Sequence, residues 1–326
     1  MNKIALIIPY FGKLPNYFQL FLNSCRYNSD IDWLLYTDDK TDYKYPSNVI
    51  VKYCTLTELH NTINEKMGFK VCLPQSYKLC DYRPAYGYIF EEDLKAHDYT
   101  FWGHCDIDLI FGNLSKFISD TMLEEYDKLF FKGHFSLYRN IPYMNKLFMT
   151  PINGEDYWKK VYSSKLNYGF DENGIDDAIG MYTIFRQEQL KLYEEPVYAS
   201  LNITKEHFEL SVYPYDNTDE KKNKNTVFSW KNGMLSRHFI RDGKVEQKEY
   251  MYLHLQAHPM KNTFEWNQEP NEYLIVPNKF ITISNGEINR KILIKYGYKR
   301  IIYLHFWKKR CRRVISRLRT WGDKNG

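Results

Sequence analysis

Apolar and polar positions fall into blocks of two lengths along the N-terminal third of the chain. Residues 3–10, "KIALIIPY", are an unbroken apolar run of strand length, the pattern of a strand covered on both faces. The short Gly/Pro stretch "FGKLPN" separates it from "YFQLFLNSCRYN", whose apolar positions recur at helical spacing. "IDWLLYTDD" is again a buried strand, so the order strand, helix, strand predicts a βαβ unit with parallel strands and a right-handed crossover. "NVIVKYC" and "LTELHNTINEKMG" repeat it. In "YKLCDYRPAYGYIFEEDLKAHDY", Pro84 suits the first turn of a helix running to about His97, after which "YTFWGHC" reads as a further strand.

Beyond residue 125 the pattern loosens. "LFFKGHFSLYR" reads as a strand and "YGFDENGIDDAIGMYTIFRQEQL" as an acidic loop leading into a helix. "TVFSWKNGMLSRHFIRDGKVEQKEYMYLHLQAH" reads as a meander with turns at Lys231-Asn232-Gly233 and Arg241-Asp242-Gly243. An α/β protein follows, with a Rossmann-type mixed sheet flanked by helices. In such open sheets ligands bind beyond the carboxyl ends of the strands. Pro9 to Phe11, Thr37 to Asp39 and Asp106 to Asp108 all fall at such ends, so the order of elements gathers them on one rim.

Composition narrows the class. Aromatics make up 17% of the chain, which suits amphipathic pockets and not disorder. The six cysteines form no CxxC pair, so neither a zinc site nor a disulfide framework is indicated, and reduced thiols in a cytosol fit best. No leader-like start is present, and no apolar stretch approaches the ~20 residues that span a bilayer. The net charge of +5 conceals an asymmetry: residues 288–326 hold 13 Lys and Arg against the single acid Asp323, and the chain before them is net acidic. In this tail Leu304, Trp307, Cys311, Val314 or Ile315, Leu318 and Trp321 recur at three- and four-residue steps among basic residues, the pattern of a basic amphipathic helix. Each basic side chain near an anionic leaflet contributes on the order of 1 kcal/mol, so an anionic membrane surface is the expected partner. A nucleic-acid patch and a helix docked on its own domain are the alternatives. Against nucleic acid, residues 1–287 carry no basic stripe beside their aromatics.

The chemistry concentrates at Asp106 and Asp108. Two carboxylates on a tight turn repel, and one hard divalent cation, Mn²⁺ or Mg²⁺, removes the repulsion while reaching substrate phosphate oxygens. A surface turn is the bland alternative. Asp81 and Arg83 precede a helix start, where Asp81 can also act as a cap, and Lys78 is similarly placed. His254 alternates with apolar neighbours, as a core histidine would, but His258 and Lys261 follow it. The acids of "DENGIDDAIG" either cap a helix or supply a base.

"KIALIIPYFGKLPNYFQLFLNSCRYNSDIDWLLYTDD", "KLCDYRPAYGYIF" and "YTFWGHCDIDLIFGNL" together resemble a bacterial glycosyltransferase family of capsule and O-antigen clusters, within the GT-A fold superfamily. The likeness covers roughly residues 1 to 260. It implies Asp106 and Asp108 as the metal motif, Pro9, Tyr10 and Phe11 beside the nucleotide, and Thr37 with Asp38 near its base or ribose. It further implies Lys78, Asp81 and Arg83 against the donor, His254 or His258 as a third metal ligand with Lys261 near the diphosphate, and Asp176 or Asp177 as the acceptor-side base of an inverting enzyme.

The expectation is a metal-dependent glycosyltransferase that moves a hexose, galactose as pyranose or furanose being favoured, from a UDP-sugar to a lipid-linked oligosaccharide. Residues 1–287 would form its GT-A domain, with a nucleotide-sugar half to about residue 125 and an acceptor half over 126–287. Residues 288–326 would hold it peripherally on the inner, cytoplasmic face of the membrane, with no nucleic-acid partner. A nucleic-acid-binding protein using the basic tail, and a nucleotide-sugar hydrolase or phosphotransferase on the same fold, are the rival readings.

Overall fold

The computed structural model describes residues 3–175, 178–201, 208, 210, 225–256, 258, 260–265, 267–282 and 287–297. Strands β1 (Ile4–Pro9), β2 (Ile31–Thr37), β3 (Val49–Tyr53) and β4 (Phe101–Cys105) lie parallel in the order β3-β2-β1-β4. Alternate residues of β1 feed two different cores, which is why its sequence shows no polar face. Ala5 and Ile7 pack with Leu34, Leu59 and Ile63, whereas Ile4, Leu6 and Ile8 pack with Phe18, Phe21 and Trp33. Helix α1 (Phe18–Arg26) supplies the second set. Helix α2 (Leu56–Met67) belongs to the first, with a reciprocal capping box between Thr55 and Glu58 and a left-handed Gly68 at its end.

The sheet then turns antiparallel. β7 (Phe135–Arg139) pairs with β4, β6 (Lys128–Leu129) with β7, and β8 (Leu192–Tyr193) runs parallel to β6. The result is a mixed seven-stranded sheet flanked by helices, as expected, and it runs across residue 125. Only part of "LFFKGHFSLYR" is strand, because Phe130 takes a left-handed φ of 62° and the chain turns before Phe135. The helix expected from Pro84 is likewise broken into Tyr86–Ile89 and Glu91–Lys95. Phe90 leaves the helical range where its ring meets Tyr36 at 4.4 Å, so tertiary packing overrides helical periodicity. At Gly87 the backbone approaches Trp102 so closely that a Cβ would lie 2.3 Å from its Nε1. Trp102 in turn stacks flat on Tyr138.

β5 (Leu109–Phe111), β13 (Tyr252–His254) and β9 (Ala199–Ser200) make a small second sheet. The third is six-stranded, from β10 (Val227–Lys231), β11 (Met234–Arg241), β12 (Lys244–Glu249), β14 (Lys261–Asn262), β15 (Glu272–Val276) and β16 (Lys279–Ile281). Asn232-Gly233 and Asp242-Gly243 all have positive φ, which two-residue hairpins with the right twist require. The expected meander ends at β12. Tyr252–His254 departs to pair antiparallel with β5, where Tyr252 packs on Phe135 and Tyr198. A helix at Arg290–Tyr296 buries Leu293 against Val227, Leu274 and Val276, so the start of the basic tail packs on the third sheet. Residues 298–326, which hold the expected amphipathic helix, lie outside the described residues. Among the described residues no helix is long and apolar enough to cross a membrane.

Lys128 in β6 is buried, with its Nζ 2.6 Å from the Tyr138 hydroxyl and 4.2 Å from the centre of that ring. Burial pushes its pKa down from 10.5 to about 7, and the more distant Asp171 and Glu172 oppose the shift only in part. The unfolded chain therefore binds more protons than the folded one between about pH 7 and 10.5, and stability through this group rises with pH across that window. Lys128→Met is expected to raise Tm at pH 7 and to raise it less at pH 9.5. Equal gains at both pH values in thermal melts would disprove the buried, uncompensated charge.

Candidate functional site

β4 ends at Cys105, and the Asp106 N–H donates to the His134 carbonyl at 3.0 Å, which holds the chain end against the strand it pairs with. Three residues later β5 begins, and its antiparallel partner β13 sets His254 opposite Leu109, beside Asp108. The Leu255 N–H closes the arrangement on the Asp108 carbonyl at 3.0 Å. Ser200 of β9 lies opposite His254 in the parallel register, with its Oγ 3.1 Å from His254 Nδ1. The other ring nitrogen, Nε2, consequently faces Asp108 Oδ1 at 3.5 Å and Asp106 Oδ2 at 3.8 Å.

One atom from each of Asp106, Asp108 and His254 lies within 4.8 Å of the other two, so the three can hold a divalent cation. Two carboxylates and one imidazole are a donor set for Mn²⁺ or Mg²⁺, and the Ser200 contact is the outer-shell bond that orients a ligating histidine. Arg83 supplies the positive charge on the other side. Its guanidinium pairs with Asp106 Oδ1 and, at 2.8 Å, with Asp171 Oδ2. Burial raises the Asp106 pKa, with Arg83 opposing and Asp108 adding. Burial likewise lifts Asp171 to about 6 against the pull of Arg83, and Glu172 adds to the rise. For His254 burial acts downward, but the attraction of Asp108 and Asp106 leaves the pKa raised.

These groups line a cavity of about 750 Å³. Pro9, Tyr10, Phe11, Asp81, Arg83, Asp106, Asp108 and His254, all expected from the sequence, share its wall. Thr37 and Asp38 do not. Thr37 is fully buried and its Oγ1 accepts from the Asp39 N–H, while Asp38 accepts from the Gly12 N–H at 2.7 Å, so this stretch holds the loop after β1 in place. Lys78 and Asp81 form a buried ion pair at 2.7 Å, and Lys78 also donates to the carbonyls of Val161 and Leu166. Asp81 accepts from the N–H groups of Tyr168 and Phe170, both at 3.0 Å. Of the two histidines left open by the sequence, the structure brings His254 to the carboxylates. His258 bonds the Leu255 carbonyl through Nδ1, with its ring edge-on to Phe208. Lys261 sits on β14, exposed beside Lys279. Asp176 and Asp177 lie outside the described residues.

By sequence Asp171 and Glu172 are helix caps of the acidic loop, and the structure instead brings both, with Ser200, to the site. The first two belong to the acidic loop already singled out, at its other end. Gly133 was the available signal: a Cβ there would fall 2.4 Å from Asp171 Oδ2 and 2.8 Å from Arg83 Nη1, and its N–H donates to Glu172 at 2.7 Å. Only glycine lets the backbone come this near. Ser200 carried no signal, since its strand is two residues long.

Residues 6–284 match the model of a family described as a family of unknown function, DUF6625. A crystal structure of the galactosyltransferase LgtC in complex with donor and acceptor sugar analogs is similar over 60% of this chain and 75% of that one, with 9% identity and a TM-score of 0.30. No curated protein matches.

Because Ser200 fixes the His254 ring, Ser200→Ala is expected to weaken Mn²⁺ binding by roughly 10-fold or more, the usual cost of an outer-shell partner. Asp106→Asn, Asp108→Asn and His254→Ala should each weaken it further in titration calorimetry. Unchanged affinity in all four would place the ion elsewhere.

Proposed function

This chain belongs to the family of unknown function DUF6625, and we propose that it is a metal-dependent glycosyltransferase that moves a hexosyl group, galactose being favoured, from a UDP-sugar to a lipid-linked oligosaccharide of bacterial surface polysaccharide synthesis. One observation carries the reading: Asp106, Asp108 and His254 converge at the carboxyl end of parallel strands, inside a cavity of the size that takes an organic ligand. A cation bound there would neutralise the charge that develops on a departing nucleoside diphosphate. The chain's own residues do the rest. Ser200 holds the His254 ring with Nε2 inward, and Arg83 braces Asp106 so that its second oxygen faces the site. Tyr10 lies near Asp108, whose charge, after burial, raises its phenol pKa. This proximity supports a nucleotide bound beside the loop after β1. A carboxylate of the acidic loop that contains Asp176 and Asp177 would take the acceptor's proton in an inverting reaction. The basic tail supports a lipid-linked acceptor, since it would carry the site to an anionic leaflet.

UDP release from UDP-galactose is expected to require Mn²⁺, to stop with EDTA, and to fall by roughly 10²–10³ in Asp106→Asn and Asp108→Asn. Turnover that needs no metal and survives both substitutions rejects the mechanism, and free sugar as the sole product with every acceptor tried would indicate a hydrolase. For the membrane, the full chain should float with anionic liposomes at low salt, whereas a chain ending at Gly297, which keeps the packed helix, should not. Equal flotation would show that the tail is not the anchor.

A further inference from the structure

Tyr77 and Ile175 both line the cavity, yet they are 66% and 50% exposed, and the nearby Leu166 is 62% exposed. Large apolar groups standing in water at a cavity mouth ordinarily mark a contact surface. Here they are fastened to one frame. Tyr77 sits in the turn Ser76–Lys78, and Lys78 inserts its ammonium into the core to meet Asp81, Val161 and Leu166. Asp81 holds Tyr168 and Phe170 from the same spot. The loop bearing Ile175 returns to this segment through the Ile175 N–H, which donates to the Tyr168 carbonyl at 2.7 Å. A buried ion pair is costly to form and does not by itself favour folding over an apolar alternative. Its consequence here is to tie the segments that carry Tyr77 and Ile175 to one another, beside Asp171 and Glu172.

We propose that Tyr77 and Ile175 form the acceptor subsite and receive a neutral saccharide ring, its CH face on the Tyr77 ring and its hydroxyls toward Asp171 and Glu172. The inference rests on the reading of the site as one that transfers sugar. A pyranoside presents apolar CH faces and a hydroxyl edge, and this mouth presents apolar side chains next to carboxylates that accept hydrogen bonds from hydroxyls. At the mouth, the same carboxylates disfavour an anionic acceptor. Tyr77 lines the same cavity wall as Arg83, Asp106 and Asp171.

Saturation-transfer NMR with methyl β-galactopyranoside, methyl β-glucopyranoside and octyl β-glucoside, in the presence of UDP and Mg²⁺, tests it. Transfer is expected to ring CH protons, with the apparent Kd weakened roughly 3- to 10-fold in Tyr77→Ala and retained in Tyr77→Phe. UDP–Mg²⁺ affinity, measured on the same samples by calorimetry, separates the two levels. If the wild type does not bind UDP–Mg²⁺, the sugar-transfer reading fails. If it binds UDP–Mg²⁺ but no glycoside, or if Tyr77→Ala matches the wild type, the subsite is wrong. Transfer confined to the octyl chain would overturn it in favour of a lipid surface.

Discussion

The guanidinium of Arg83 between Asp106 and Asp171 is the contact on which the site depends. Asp81, Asp106, Asp108, Asp171 and Glu172 line one cavity, and carboxylates that close together resist ionising. Arg83 offsets this at two of them, with planar donors that a lysine could not divide in the same way. Its position is built from several close approaches. Pro84 starts the turn behind it, Gly133 lets the backbone slide under its pair with Asp171, and Gly87 lets the following helix lie against Trp102. The opposite side of the group is held by strand pairing, which delivers His254 with its ring oriented by Ser200.

Charge is thus distributed by function within the structure. The Lys78 and Asp81 pair is closed off by backbone partners on both sides and serves as a rivet between the 76–83 helical turns and the 166–170 segment. The Arg83 network lines the cavity. Lys128, a few residues from the same loop, is the contrasting case of a charge buried on an aromatic face with a hydroxyl as its partner. These three cations look alike in the sequence. What separates them is the number of fixed acceptors each one finds.

The three sheets also divide the work. The large sheet offers a rim at the ends of its parallel strands, and the small sheet brings a distant segment of chain onto that rim. The six-stranded sheet carries the packed start of the basic tail on Val227, Leu274 and Val276. The cavity, the Asp106, Asp108 and His254 group and the start of the tail are therefore connected through β5 and β13, a pairing of three residues on each strand. Short as it is, that pairing lies across the Asp108 carbonyl, so the second and third sheets are coupled to the site itself.

By itself, the sequence determined what local physics determines. The unbroken apolar runs of β1 and β2, the capping box of α2, the Asn-Gly and Asp-Gly hairpins, and the rim position of Asp106 and Asp108 all follow from burial, capping and backbone sterics within a few residues. Tertiary structure alone decided the rest. Which histidine meets the carboxylates depended on β13 leaving the meander, and the break at Phe90 depended on a ring far away in the chain. Thr37 and Asp38 bond the loop after β1, and Asp171 reached Arg83 only because Gly133 made room. Each of these turns on which of several competing partners is near in space, and sequence spacing carries no distance between segments a hundred residues apart.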